Sequence, residues 1–246
     1  MKKTVLFMAV AVTLLSAVSC GEKKSDDGTA SEATTVAETT TMPDFQIKTV
    51  PITEAAEEDI EYEDPIAGTA FVKGKVEGNV YTSEYAGIKF TAPEEWKFKS
   101  EEDIFNEQQQ MLSGMTGELK RIAAMEITDA AIFNDKTNKN IDFTYSNVKL
   151  KYPDESGMTE EEFLDKDIFM GNLKEFKESY GLDIKDPEKV KLGNKEFTRF
   201  RIVNAENGDD VLYIGRIDDD FMLTIAAYGG AASDDSAFES CFEALD

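Results

Sequence analysis

Three apolar segments joined by very short turns occupy residues 196–228, and they limit the possible folds more than any other feature of the sequence. Asn207-Gly208 and the three acids at 218–220 are turn-forming residues, and each group lies between two strand-like segments. A parallel crossover needs a dozen or more residues, so connections this short require antiparallel pairing. We therefore predict an antiparallel meander with strands at 196–203, 210–217 and 221–228.

Amphipathic helices are predicted at three places outside this meander. The first covers 101–115, where apolar residues recur with helical spacing and Ser100 is placed to cap the first turn. The second covers 159–180, where Thr159 and the acids that follow form a capping box and leave Phe163 outside the apolar face. The third begins after Ser233 or Asp234 and places Phe238, Cys241, Phe242 and Leu245 on one face.

Shorter strand-like segments account for most of the remaining pattern. Alternating or continuous apolar residues predict strands at 80–82, 87–91, 94–98, 122–133, 141–150 and 190–192. Strands grouped in meanders, with helices separate from them, predict an α+β fold with a central antiparallel sheet flanked by helices.

Charge and composition exclude several classes of function. The 246 residues include 50 acids against 26 bases, so the net charge is −24, which argues against binding of nucleic acid. The sequence has no histidine, and this rules out imidazole zinc sites and histidine-dependent catalytic triads. We expect no bound cofactor.

The N-terminus has the pattern of an export signal. Lys2 and Lys3 precede an apolar run at 5–18, which is shorter than the roughly 20 residues that span a membrane. The segment 15–20, Leu-Ser-Ala-Val-Ser-Cys, resembles the lipobox of bacterial lipoproteins, although Ala17 stands where that motif usually has Leu or Val. The resemblance implies cleavage after residue 19, acylation of Cys20 with a diacylglyceryl group, and attachment to the outer face of the cell membrane.

The chain after Cys20 divides into two parts. Residues 20–65 are rich in Ser, Thr and Glu and lack apolar periodicity, which predicts a disordered acidic linker. Dense apolar patterning in 66–246 predicts a single globular domain, and we expect it to be a monomer.

The start of this domain resembles a known family. The segment 74–96, with Tyr81, Gly87, Pro93 and Trp96 around an alternating strand, is similar to the opening of Mog1/PsbP (PsbP-like) domains. That family has an antiparallel sheet between helices, an α/β/α sandwich, and enzymatic activity is not expected of it. Plant members are subunits of the oxygen-evolving complex, and the Mog1 branch binds a Ran-type GTPase. No residues here match either role, so the resemblance implies the fold alone.

Two sets of residues are candidates for a binding site. Oxygen ligands for Ca²⁺ are available from Asn207, Asp209 and Asp210, and from Asp218, Asp219 and Asp220, although acids in hairpin turns also serve as ordinary turn formers. Aromatic side chains that could line a ligand groove are Tyr81, Tyr85, Phe90 and Trp96, although aromatics on short strands usually belong to a core.

These observations favour a lipid-anchored extracytoplasmic module without enzymatic activity, which binds or assembles with a protein of the cell envelope. One alternative is a lipoprotein that binds a divalent cation such as Ca²⁺ or a small solute. Another is an envelope hydrolase, which needs two carboxylates that converge in a deep pocket.

Overall fold

The predicted meander forms the middle of a large antiparallel sheet. The computed structural model describes residues 64–155, 157–166, 183–203 and 208–245. Several predicted features lie outside these residues. They are the signal peptide of 1–19, Cys20, the linker as far as residue 63, the helix beyond residue 166, and Asn207. The strands of the meander are β9 (Lys195–Val203), β10 (Asp210–Arg216) and β11 (Phe221–Tyr228), and the pairing of β10 with both neighbours is antiparallel, as predicted.

The large sheet extends the meander on both sides. Strands β5 (Glu126–Asn134) and β6 (Lys139–Asn147) form a hairpin, and β6 pairs with β11. Two short strands and one longer strand complete the sheet at its edges, so that the order is β4-β5-β6-β11-β10-β9-β7 with β8 also paired to β9. These strands are β4 (Lys97–Phe98), β7 (Asp183–Ile184) and β8 (Glu188–Leu192).

A second, smaller antiparallel sheet lies against one face of the large sheet. Its order is β1-β2-β3-β12, and it joins residues from the beginning and the end of the described chain. Aromatic side chains from both sheets, including Phe90 and Phe143, meet in the main hydrophobic core. The four strands are β1 (Lys75–Glu77), β2 (Val80–Ser83), β3 (Ile88–Thr91) and β12 (Phe242–Ala244).

Helices complete the covering of the large sheet. Phe163 and Leu164 of one helix pack with Phe200 and Leu212 of the sheet in a second hydrophobic core. Phe163 is therefore buried, and its predicted place outside the apolar face was wrong. The helices are α1 (Glu101–Ser113), α2 (Gly117–Ala124), α3 (Val148–Lys151), α4 (Glu160–Lys166) and α5 (Asp235–Glu239).

The antiparallel sheets and the separate helices confirm the predicted α+β class. Two predicted helix caps are also confirmed, because Ser100 accepts the amide of Asp103 and Thr159 exchanges hydrogen bonds with Glu162. Each cap uses only residues within one turn, so the local sequence is sufficient to fix it.

Four predicted elements differ from the structure. The strand predicted at 122–133 begins only at Glu126, because the residues before it form α2 and bury Ile122 and Ala123 with helical spacing. The strand predicted at 141–150 ends at Asn147, where the Asn147 side chain caps α3.

The strand predicted at 94–98 is reduced to β4, because the residues after Pro93 form a turn. The C-terminal helix ends at Glu239, and Phe242–Ala244 pairs with β3 instead.

Candidate binding site

The two acidic loops lie at opposite ends of β10. Asp209 and Asp210 stand at its start, and Asp218 follows its last residue. A strand of seven residues is about 24 Å long, so ligands from both loops cannot coordinate one ion.

Carboxylates of the first loop bind to groups of the protein itself. Asp210 Oδ1 accepts the Gly229 amide at 2.7 Å, and Asp209 forms an ion pair with Arg201 at 3.1 Å. Burial raises the pKa of the Asp210 carboxyl. Both residues are therefore engaged in holding the β10–β11 end of the sheet together.

The second loop shows the same use of its acids. Asp218 Oδ1 accepts the amides of Asp220 and Phe221 at 2.8 and 2.9 Å, and its Oδ2 accepts the Tyr85 hydroxyl. Asp220 forms an ion pair with Lys149 at 3.2 Å, and Asp219 is exposed. Within the described residues, no group of three or more acids, cysteines or histidines is placed to hold a metal ion. Calcium binding stays an untested prediction.

Of the four aromatic residues proposed for a groove, Phe90 is fully buried in the main core, and the other three occupy different environments. Tyr81 is fully buried, and its ring packs 4.7 Å from Phe143 in the main core. Tyr85 contacts Phe71, Tyr145 and Phe221 in a cluster of rings. Trp96 alone of the three lines a cavity.

This cavity has a volume of about 550 Å³ and lies where the edges of the two sheets approach the start of α1. Ligand pockets commonly have 300–1,000 Å³, so a small ligand or a short length of peptide would fit. Its walls are formed by β1 and the residues beside it, by residues 96–99 around β4, and by the start of α1. From β1 and its surroundings they include Lys73, Gly74, Val76 and Gly78, and from the start of α1 they include Ser100, Glu101 and Ile104.

Asp129 forms the floor of the cavity. Its side chain is only 4% exposed, and it accepts the Tyr81 hydroxyl at 2.5 Å and the Gly74 amide at 2.9 Å. Burial raises the pKa of the Asp129 carboxyl, while these two hydrogen bonds act in the opposite direction. The same burial raises the pKa of Tyr81 well above its usual value.

Gly74 allows this close approach of the small sheet to Asp129. A Cβ atom at this position would stand 2.5 Å from the Tyr81 ring and 2.7 Å from Asp129 Oδ2. Such distances are shorter than any real carbon contact, so only glycine fits here without movement of its neighbours.

Lysines surround the mouth of the cavity, in contrast to the strongly acidic chain. Lys73 pairs with Glu101 at 2.9 Å, Lys97 with Asp135 at 2.6 Å, and Lys99 with Glu107 at 2.7 Å. Lys75 on β1 lies between two lining residues, Gly74 and Val76, without lining the cavity itself; it is exposed and forms no ion pair with any other described residue.

Sequence reasoning missed Asp129 and these lysines. The structure places Asp129 at a β-bulge in β5, where the register shifts between Thr128 and Ala130. Asp129 lies in the middle of a mostly apolar strand whose other acid, Glu126, is at its start. This position was the signal that could have identified it, because a buried charge needs partners that the strand itself does not supply.

Two carboxylates line the cavity, as a hydrolase would require, but they are not equivalent. The lone pairs of Asp129 are occupied by Tyr81 and Gly74, and the Glu101 side chain is 82% exposed and paired with Lys73. A general acid must be free to transfer its proton to a substrate, whereas Asp129 joins the two sheets.

None of the helices within the described ranges is long and apolar enough to cross a membrane.

Comparisons with known proteins find likenesses among solved structures. No family model matches the sequence, and neither does any curated protein. Among solved structures, the chain is similar to the solution structure of cyanobacterial PsbP (CyanoP) from Synechocystis sp. PCC 6803, at 11% identity and a TM-score of 0.37. The likeness covers 72% of this chain and 95% of the other. The sheets themselves establish an α+β protein with a half-open cavity between two sheet edges.

Proposed function

We propose that the chain is a lipid-anchored extracytoplasmic binding module without enzymatic activity, and that the cavity between β1, β4 and α1 is its ligand surface. The observation that carries this proposal is the cavity itself, which combines the indole of Trp96 with a rim of lysines on an otherwise acidic chain. An aromatic wall with a few polar groups is typical of ligand-binding sites.

The engagement of Asp129 supports a role in binding instead of catalysis. Its carboxylate is held by a hydroxyl and a backbone amide, and these hydrogen bonds link β5 to Gly74 and to Tyr81 of the small sheet. A carboxylate in this role gives the floor of the cavity a fixed shape, which favours recognition of a ligand.

The proposed anchor rests on the sequence before the described residues. The segment 15–20 has the lipobox pattern, and two acyl chains on Cys20 would give stable attachment where one chain gives only marginal binding. The net charge of −24 supports a domain that stands away from an anionic membrane surface, because like charges repel.

Two experiments in intact cells test the proposal. Labelled palmitate should enter the wild-type protein and not the Cys20→Ala variant, and incorporation into both would contradict acylation at Cys20. For the ligand surface, a photoreactive amino acid is placed at Val76 in the cavity wall, and a matched one at Leu119, an exposed position on α2.

We expect a discrete cross-linked product from position 76 that the Trp96→Ala substitution abolishes, and no such product from position 119. Identical products from both positions, or none from position 76, would mean that the cavity is not the ligand surface.

A further inference from the structure

The free edge of β1 faces the cavity. In the hairpin of β1 and β2, Glu77 pairs with Val80 around a two-residue turn that Gly78 opens with φ 63°. Residues in such a hairpin alternate between hydrogen-bonded and non-bonded pairs, and Glu77 belongs to a bonded pair. The backbone N–H and C=O of Val76 therefore point away from β2, and Val76 lines the cavity.

The amide of Gly74 also points outward from this edge, and it already has a hydrogen-bond acceptor of the kind that a peptide carbonyl would provide. Gly74 lies two residues before Val76 on the same edge, and its N–H is bound by the Asp129 carboxylate at 2.9 Å. The N–H and C=O of Val76 have no such partner within the described residues, and its side chain is 43% exposed. An unpaired edge of this kind is a template for an added strand.

The opposite wall of the cavity offers apolar surface to such a strand. The Lys99 amide bonds to the Ala131 carbonyl at 2.8 Å, so β4 is fixed to β5 on one side and forms the outer edge of the large sheet on the other. Trp96 and Phe98 line the cavity from this wall and are only partly buried.

Charge identifies the kind of segment that fits. Lys73 lines one side of the cavity and Lys97 the other, and their ion pairs with Glu101 and Asp135 are solvent-exposed. Lys75, next to Val76 on β1, is exposed as well. Exposed pairs contribute about 0–1 kcal/mol, so an incoming carboxylate can replace them at little cost. A second copy of this edge would bring lysine against lysine, which opposes self-pairing.

We propose that an extended acidic segment of a partner protein adds as a strand along the free edge of β1, bonded to the backbone of Val76 and covered by Trp96 and Phe98. This inference rests on the proposed function of the cavity and specifies its ligand. Backbone hydrogen bonds would provide the affinity, and the lysines would select acidic sequences.

Trp96 is the only tryptophan of the chain, so its fluorescence reports binding at this site directly. The full chain in mild detergent is titrated with the blocked peptide Thr-Glu-Val-Glu-Val-Glu-Thr, and with a peptide in which lysines replace the glutamates. We expect a saturable change with the acidic peptide below about 1 mM, and binding of the lysine peptide weaker by about tenfold or more.

Two pairs of variants separate backbone pairing from charge. Val76→Pro removes the outward N–H and leaves the pairing with β2 intact, whereas Val76→Thr keeps the N–H. We expect the proline variant to bind at least about tenfold more weakly and the threonine variant to stay within about twofold of wild type. Lys75→Glu should also weaken binding, whereas the matched change Lys191→Glu on β8 should not.

Hydrogen exchange of the Val76 amide tests whether the chain's own residues or a second copy, and not a partner segment, cover this edge. Protection of the Val76 amide before peptide is added would show that the chain's own residues cover the edge, and protection that rises with protein concentration would indicate a second copy. Either result overturns the proposal, as does the absence of a saturable response or equal binding by Val76→Pro.

If Val76→Pro fails to fold, the Lys75→Glu and Lys191→Glu variants and the amide-exchange measurement still test whether the peptide binds along this edge. If the peptide does not bind while the cross-link from position 76 in cells still depends on Trp96, strand addition is wrong and the proposed function stands.

Discussion

Gly74 shows how the absence of one side chain shapes the cavity. The backbone of Gly74 donates its amide to Asp129, and the Tyr81 ring occupies the space that a Cβ would need. The contact joins the small sheet to β5 through a single buried carboxylate. The geometry of the cavity floor is therefore determined by two residues of the small-sheet region, Gly74 and Tyr81, together with Asp129, which is 48 residues beyond Tyr81 in the sequence.

We expect Gly74→Ala to lower the free energy of unfolding by about 2–4 kcal/mol, because the new methyl group must displace the Tyr81 ring or the Asp129 carboxylate. Urea denaturation measures the change. Gly114→Ala is the matched control, since a Cβ there meets only the Met111 carbonyl at an ordinary 3.6 Å and should cost about 0.5 kcal/mol or less. Equal losses in both variants would refute the steric argument.

Asp142 gives the stability of the protein a dependence on pH. Burial raises its pKa from the usual 3.8 to about 6, with Lys99 opposing the shift and Glu107 adding to it. The folded protein therefore holds this proton more tightly than the unfolded chain, so the contribution to stability is complete below pH 4 and is lost as the pH rises to about 6.

The substitution Asp142→Asn should remove this loss of stability at higher pH. We expect the variant to be more stable than wild type by about 1–2 kcal/mol at pH 7 and to match it near pH 3.5, because the amide carries no charge to bury. Thermal unfolding at a series of pH values tests this. A constant difference between the two proteins at every pH would contradict the assignment to Asp142.

At the scale of elements, the C-terminus shows where local pattern stops being sufficient. Phe238, Cys241 and Phe242 have helical spacing, but α5 ends at Glu239 and Phe242 pairs with Phe90 in β3. Five residues of helix bury little surface, whereas a strand at the free edge of β3 satisfies backbone groups and buries Phe242. Cys241 is half-buried at this junction, and burial raises the pKa of its thiol.

Phe242→Ala should destabilise the protein by about 3–5 kcal/mol, since the ring lies 4.8 Å from Phe90 and is 7% exposed. Its neighbour Glu243 is exposed and pairs with Lys89 only at the surface, so Glu243→Ala should change stability by about 0.5 kcal/mol or less. Chemical denaturation compares the two. A small effect of Phe242→Ala would mean that β12 is not part of the core.

Long and strongly patterned elements were predictable from sequence, as were the short strands β2 and β3 beside clear turn residues, whereas α2 and β12 were not. The strands of the meander lie within one or two residues of their predicted bounds, because alternating burial and turn residues act locally. Helix α2 and strand β12 depend on contacts with distant strands. The cavity could not be predicted at all, since it arises only where the edges of two sheets meet, and Trp96 alone of its walls was identified beforehand.

At the scale of the whole molecule, the two sheets share one aromatic core. Phe90 from the small sheet and Phe143 from the large sheet pack edge-to-face with ring centroids 5.4 Å apart, and Phe238 of α5 joins them. Neither sheet can lose its partner without exposing these rings to water. The two sheets are therefore expected to unfold together.

Urea unfolding followed by Trp96 fluorescence and by far-ultraviolet circular dichroism should give coincident transitions, because Trp96 lies between the sheet edges and dichroism reports all strands. If the fluorescence transition occurs at a lower urea concentration than the dichroism transition, the region around the cavity opens separately and the shared core does not couple the sheets.

The position of β12 in the sequence limits how early folding can be completed. It is the last strand of the chain, yet it pairs with β3, near the beginning of the described residues, and supplies Phe242 to the shared core. During synthesis, about 150 residues leave the ribosome between β3 and β12 at roughly 5–20 per second. The small sheet therefore cannot be completed until many seconds after β3 has been made. Until Phe242 has left the ribosome, the nascent protein lacks part of its aromatic core, and any factor that binds the nascent chain meets it in that incomplete state.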